Sequence, residues 1–246
     1  MYEGILAETV SIQGHERDWI SAYLARPLGT GPYPGVLVIH HMPGWDEATK
    51  EITRRFAVHG YAAICPNLHH REGPGASPDD AAAAARAAGG VPDERFLGDA
   101  AGAVTALRTA PYGSGKVGSI GYCSGGRQSY IAACRLPLEA AVACYPGRVV
   151  AKEGELSQRQ PVAPIDMTSG LSCPLLGLFG VEDPNPDPAQ VEVIRQRLER
   201  EAKTFDFHSY EGAGHAFFSV DRPSYRVEAA NDGWERVWSF FGKYLH

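Results

Sequence analysis

The chain has 246 residues, 44% of them hydrophobic and 21% charged, with a formal net charge of −6 at pH 7. This length suits one large α/β domain over 1–246, with no linker separating two apolar patterns. The interspersed charge, without a Lys/Arg run, leaves no footprint for nucleic acid, and no apolar run is long enough to cross a bilayer.

In chain order, Met1 to Val10 carries Glu3 and Glu8 and lacks the basic and apolar regions of a signal peptide. Trp19 to Ala25 reads as a strand, and Gly35 to His40 as a strand buried on both faces, from its run Val36-Leu37-Val38-Ile39. Thr49 to His59 is amphipathic and closes at Gly60, a helix cap. Tyr61 to Cys65 is the next strand. The long stretch Pro66 to Pro92 contains Asp79-Asp80 before the alanine run Ala81 to Ala88, a short helix stopped by Gly89-Gly90. Asp93 to Thr109 has helical apolar spacing. Lys116 to Tyr122, Ala140 to Tyr145 and Pro174 to Gly180 are strand-like, with a long excursion at Pro146 to Cys173. Ala189 to Lys203 is a charged helix, Thr204 to Tyr210 a strand, and Ser224 to Tyr244 a closing helix with Trp234 and Trp238 on one face. Strands alternating with helices predict a mainly parallel sheet. The five cysteines (Cys65, Cys123, Cys134, Cys144, Cys173) are odd in number and lack CxxC spacing. They predict free thiols and a reducing, cytoplasmic setting.

The six residues Gly121-Tyr122-Cys123-Ser124-Gly125-Gly126 follow an apolar strand and precede a helical stretch. A nucleophile elbow needs this pattern, because the sharp turn strains the nucleophile's backbone and its neighbours must be small. The same turn aims the N–H of Ser124 at the space where an oxyanion would form. The competing reading is a glycine-rich loop with an incidental cysteine. The spacing is not G-x-G-x-x-G, and the register places Cys123, not Ser124, two residues from each flanking glycine.

The acid and the base of such a site follow in chain order, each beyond a strand. Asp183, in Gly180-Val181-Glu182-Asp183-Pro184, is the candidate acid, with Glu182 and Asp187 as neighbouring competitors and a simple turn as the alternative. His215, on Gly212-Ala213-Gly214-His215-Ala216-Phe217 beyond the last strand, is the candidate base. One imidazole nitrogen would face the nucleophile and the other the carboxylate.

On GYCSGG at 121–126, GVED at 180–183 and GAGHAF at 212–217, the chain resembles the dienelactone hydrolase (carboxymethylenebutenolidase) family over nearly its whole length. The resemblance implies an α/β-hydrolase fold with a central sheet flanked by helices. It also implies hydrolysis of small esters or lactones through a Cys-His-Asp triad and a thioester, with no cofactor and a small-molecule substrate as the partner. It further implies a second oxyanion N–H at Met42. The family glutamate that meets the thiol is replaced here by His41. Of the two arginines that hold a substrate carboxylate in the family, Arg71 matches one, and Ser219 stands in place of the other.

The pairs His40-His41 and His69-His70 invite a metallohydrolase reading. Adjacent residues on extended chain point oppositely, so each pair would lend one ligand, and no HExxH-like motif completes a set. We therefore expect no metal, with His41 and His69 lining the pocket or tuning the thiol. A non-catalytic redox-responsive or ligand-binding protein on the same fold is the remaining rival. A sensor thiol, however, needs neither Asp183 nor His215.

Overall fold

The computed structural model describes residues 4–151 and 153–246. The chain forms two compact units, Met1–Gly118 and Ser119–His246.

In the first unit, strands β1 (Ile5–Gln13) and β2 (Trp19–Pro27) form an antiparallel pair, in register from Ile5 opposite Pro27 to Gln13 opposite Trp19. β2 pairs antiparallel with β4 (Ala62–Pro66), which pairs parallel with β3 (Tyr33–Ile39), giving the order β1-β2-β4-β3. All seven residues of β3 are buried, as its unbroken apolar run requires of a strand covered on both faces.

Helix α1 (Glu47–Val58) packs on β2 and β4. The Asp46 side chain caps it by accepting from the Thr49 N–H at 2.9 Å. The chain leaves α1 through Gly60, at φ +90°, in the left-handed region that glycine enters without cost. The alanine run is helical as expected, in α2 (Pro78–Ala87), with Ser77 as cap and Pro78 in the first turn. Helix α3 (Asp93–Thr109) packs on β3 and β4.

Strand β5 (Gly113–Tyr122) leads into the second unit, where β6 (Ala140–Cys144), β7 (Leu175–Gly180) and β8 (Phe205–Tyr210) follow. β6, β7 and β8 are parallel, so their carboxyl ends share one edge. Helix α4 (Ser124–Arg135) packs on β6, and α6 (Val227–Leu245) packs on β6 and β7. Trp234 and Trp238 of α6 stack with centroids 5.0 Å apart. Helix α5 (Pro188–Arg200) opens with a capping box between Asp187 and Gln190.

The excursion after β6 is partly ordered against this body. Its 3-10 stretch Pro164–Gly170 packs on α4, where the Tyr130 hydroxyl lies 2.7 Å from that of Thr168. Among the described residues, no helix is long and apolar enough to cross a membrane.

Candidate active site

The strand-to-helix turn at Cys123 has the geometry its glycines foretell. Cys123 adopts φ 57° and ψ −117°, a left-handed backbone that L residues avoid. Any Cβ at Gly121 would lie 1.9 Å from the Gly125 carbonyl oxygen, and one at Gly126 would lie 2.6 Å from that of Cys144. Only glycine allows so tight a turn. The Cys123 N–H donates to the Cys144 carbonyl at 3.1 Å, fixing the turn to the end of β6. Ser124, the first residue of α4, has no intrahelical acceptor for its N–H.

Asp183 and His215 meet beyond β7 and β8. The Glu182 N–H donates to the Ala213 carbonyl at 2.9 Å, which ties the two loops together. Asp183 is 2% exposed, and its Oδ2 lies 2.7 Å from His215 Nδ1, while its Oδ1 accepts the Asn185 N–H at 2.8 Å. Glu182 is exposed and Asp187 caps α5, so neither competes for the imidazole. Cys123 also acts on the imidazole and favours its protonated form. Burial opposes a charge on His215, but Asp183 and Cys123 outweigh that and push its pKa up to about 10. A thiol, an imidazole and a buried carboxylate are thus coupled in series, an arrangement suited to making and discharging an acyl-thiol.

The sequence profile described as the Dienelactone hydrolase family matches residues 20–245, across both units. The chain belongs to the dienelactone hydrolase family. A protein of Methylorubrum extorquens, provisionally named a carboxymethylenebutenolidase, is 34% identical over 98% of this chain and 82% of its own length. One of Escherichia coli K12 with the same provisional name is 35% identical over 98% and 89%. The crystal structure of a provisionally named dienelactone hydrolase from Klebsiella pneumoniae superposes with a TM-score of 0.89 at 34% identity. It covers 98% of this chain and 100% of that one. The protein is therefore a dienelactone hydrolase-like hydrolase with the α/β-hydrolase fold.

In this dienelactone hydrolase relative, the histidines that follow β3 and β4 have separate duties. His40 is a satisfied core residue: its Nδ1 lies 2.8 Å from the His41 carbonyl and its Nε2 accepts the Leu68 N–H at 3.2 Å. His69 stands edge-on to it, with centroids 4.8 Å apart, and its buried Nδ1 has no hydrogen-bond partner among the described residues. His41 Nε2 lies 2.6 Å from Asp46 Oδ2, a second His–Asp pair that sequence reading overlooked. Burial raises the Asp46 pKa, but the hydrogen bonds from His41 and Thr49 prevail and hold it at about 2. The spacing Asp46-x-x-Thr49 at a helix start was the available signal for that residue. Met42 follows in the same turn, half-buried, with no partner for its N–H among the described residues. No group of three His, Cys, Asp or Glu among the described residues could hold a metal ion.

Burial lowers the pKa of His40 to about 3 and that of His69 to about 4. Both lie below the ordinary 6.5, so the unfolded chain binds more protons between those limits. Their contribution to stability is complete above pH 6.5 and is lost as pH falls through about 4 and 3, by up to about 1.4 kcal/mol per pH unit for each group. His40→Gln should therefore flatten the acid limb of stability, read as urea midpoints at pH 7 and pH 4.5. An unchanged slope would show that His40 takes no part.

Arg71, the residue expected to meet a substrate carboxylate, bonds to carboxylates of the chain itself. Its Nε donates to Asp18 at 2.8 Å, and its two terminal nitrogens grip Asp99 at 2.9 and 3.0 Å. Asp99 is fully buried in α3. The guanidinium therefore ties β4 and its loop to α3, and an incoming carboxylate would have to displace resident ones. Ser219 stands beside the hydroxyl of Tyr145 and acts on its charge.

All five cysteines are free; Cys123 is half-buried and the other four are buried. Burial pushes the thiols of Cys134 and Cys173 up to about 12, and those of Cys65 and Cys144 upward as well.

Proposed function

We propose that the protein hydrolyses small esters or lactones through a Cys123–His215–Asp183 triad and a thioester intermediate. The observation that carries this reading is the imidazole of His215, paired with buried Asp183 at 2.7 Å and held in its protonated form in part by Cys123, which sits at a strained turn.

With Nδ1 held by the carboxylate and the ring protonated below about pH 10, Nε2 already holds the proton whose departure leaves Sγ free to attack. Cys123 Sγ attacks the carbonyl carbon, and the negative oxygen is met by the N–H of Ser124. Family resemblance makes Met42 the second donor. His215 then protonates the departing oxygen, which for a lactone remains attached as the far end of the opened ring. A water gives its proton to His215 and attacks the thioester, releasing the acid and regenerating the thiol.

His41 and His69 remain candidates for tuning the thiol or meeting substrate. Arg71 is left out of the carboxylate role because its donors are committed. The names of the curated relatives make a butenolide lactone with a carboxymethylene group the first natural-type substrate to try. Five free thiols favour a reducing, cytoplasmic setting.

The test is turnover of an activated short-chain phenyl ester in chelator, followed by acid quench and mass spectrometry. Turnover with one acyl group on the peptide containing Cys123 is expected. Turnover with acyl on another residue, or chelator-sensitive turnover restored by zinc, would overturn the reading.

A further inference from the structure

A hydrogen bond to Asp183 holds one edge of the His215 ring, but it does not fix the plane of an imidazole whose side chain is 32% exposed. A second element must supply that restraint. Tyr145, the residue after β6, is 1% exposed, and the ring centroids of Tyr145 and His215 lie 5.1 Å apart in an edge contact. The same ring meets Phe217 at 5.2 Å, two residues beyond His215.

The backbone of Tyr145 occupies a junction. Its N–H donates to the Leu178 carbonyl at 2.7 Å, in the strand that leads to Asp183. The preceding carbonyl, that of Cys144, accepts the N–H of Cys123 at 3.1 Å. Tyr145 also sits at φ 37°, a conformation bulky aromatic residues rarely hold. Such an outlier persists only where its surroundings over-determine it, and it points to a duty at a working site.

At its far end the hydroxyl faces the Ser219 side chain and the Phe218 backbone, both of which act on its charge. That loop is held again by the Ser219 N–H on the Ala216 carbonyl at 3.0 Å and the Arg226 N–H on that of Phe217 at 3.1 Å. Burial keeps the phenol neutral, so it is a fixed dipole and not an acid.

We infer that Tyr145 is a positioning residue that fixes the His215 ring plane, with Ser219 as the anchor of its hydroxyl. The nucleophile, the acid and the base are thereby referred to one side chain: the first two through its backbone neighbourhood, the third through its ring. This inference rests on the proposed triad and adds a residue to it. It also gives Ser219 a task, holding the phenol in place of contacting substrate.

The test compares Tyr145→Phe, Tyr145→Leu and Ser219→Ala with wild type, with Tyr145→Asn as a fourth variant because asparagine tolerates the left-handed backbone. The readouts are kcat and KM on the phenyl ester, the alkaline pKa of kcat/KM, and the NMR titration of the His215 ring. Tyr145→Leu and Tyr145→Asn should lower kcat by about tenfold to a hundredfold, as small misplacements of a catalytic group do. KM should change little, and the His215 titration should move down from about 10. Tyr145→Phe and Ser219→Ala should show a smaller change in the same direction.

A folded Tyr145→Asn with wild-type kcat and an unmoved His215 titration would overturn the inference. A rise in KM alone would do the same, by marking a substrate contact. Should both large substitutions fail to fold, an unmoved His215 titration in Tyr145→Phe and Ser219→Ala would also reject it. The titration needs no turnover, so an enzyme inactive on every ester would refute the proposed function while this test still reads.

Discussion

Cys123→Ala is expected to lower kcat by roughly five to six orders of magnitude, the scale on which deletion of a covalent nucleophile acts. Five orders correspond to about 7 kcal/mol of barrier. Cys123 is half-buried at the turn, so truncation to alanine should forfeit little packing. The unfolding midpoint should therefore stay near that of wild type. Steady-state hydrolysis of the phenyl ester beside a melting curve decides the matter. A folded variant with near-native turnover would remove Cys123 from the chemistry and reopen the reading of this thiol as a redox sensor.

The second large effect belongs to Asp183→Asn. The buried carboxylate accepts from His215 Nδ1 at 2.7 Å, and an amide can present its NH2 group there instead. The imidazole would then place its proton on the nitrogen that faces Cys123, the wrong tautomer for a base. A fall in kcat of about three to four orders of magnitude is expected.

The pH profile should change as well. Asp183 and Cys123 outweigh burial and hold His215 protonated up to about 10 in the wild type. The alkaline limb of kcat/KM should therefore lie near there, and removing one anion should move it toward the ordinary 6.5. The same raised value gives a contribution to stability that is complete below 6.5 and lost as pH rises through about 10. A variant whose limb does not move would show that Asp183 does not govern the charge on His215.

What could be read from the amino-acid string divides along local and non-local lines. The elbow was legible because its constraint is local: Gly121 and Gly125 meet across four residues, and the clash that excludes a side chain is written within six. The alanine helix was equally plain from propensity and its acidic first turn. β1 was not, because only Ile12 of its nine residues is buried, which leaves little alternation to detect.

Telling the three candidate acids apart needed coordinates. Asp183, Glu182 and Asp187 lie within six positions, and only their environments (a buried pair, open solvent and a helix cap) separate them. The surroundings of Arg71 were hidden for a related reason. Its partner Asp99 lies 28 residues away on α3, and nothing near Arg71 announces that its donors are taken. Tyr145 had no signature at all, since a tyrosine ending an apolar strand is ordinary until its φ is known.

The distribution of thiols has a practical meaning for anyone handling the protein. Four cysteines are sealed in the interior with their ionisation pushed upward, and only Cys123 is half-open to solvent. An electrophilic reagent meets the accessible thiol of Cys123 before it meets the four interior ones. The folded enzyme thus carries its own stoichiometric tag: the moles of reagent consumed report the moles of intact elbow. Labelling beyond one equivalent reports the fraction of chains whose interior has opened.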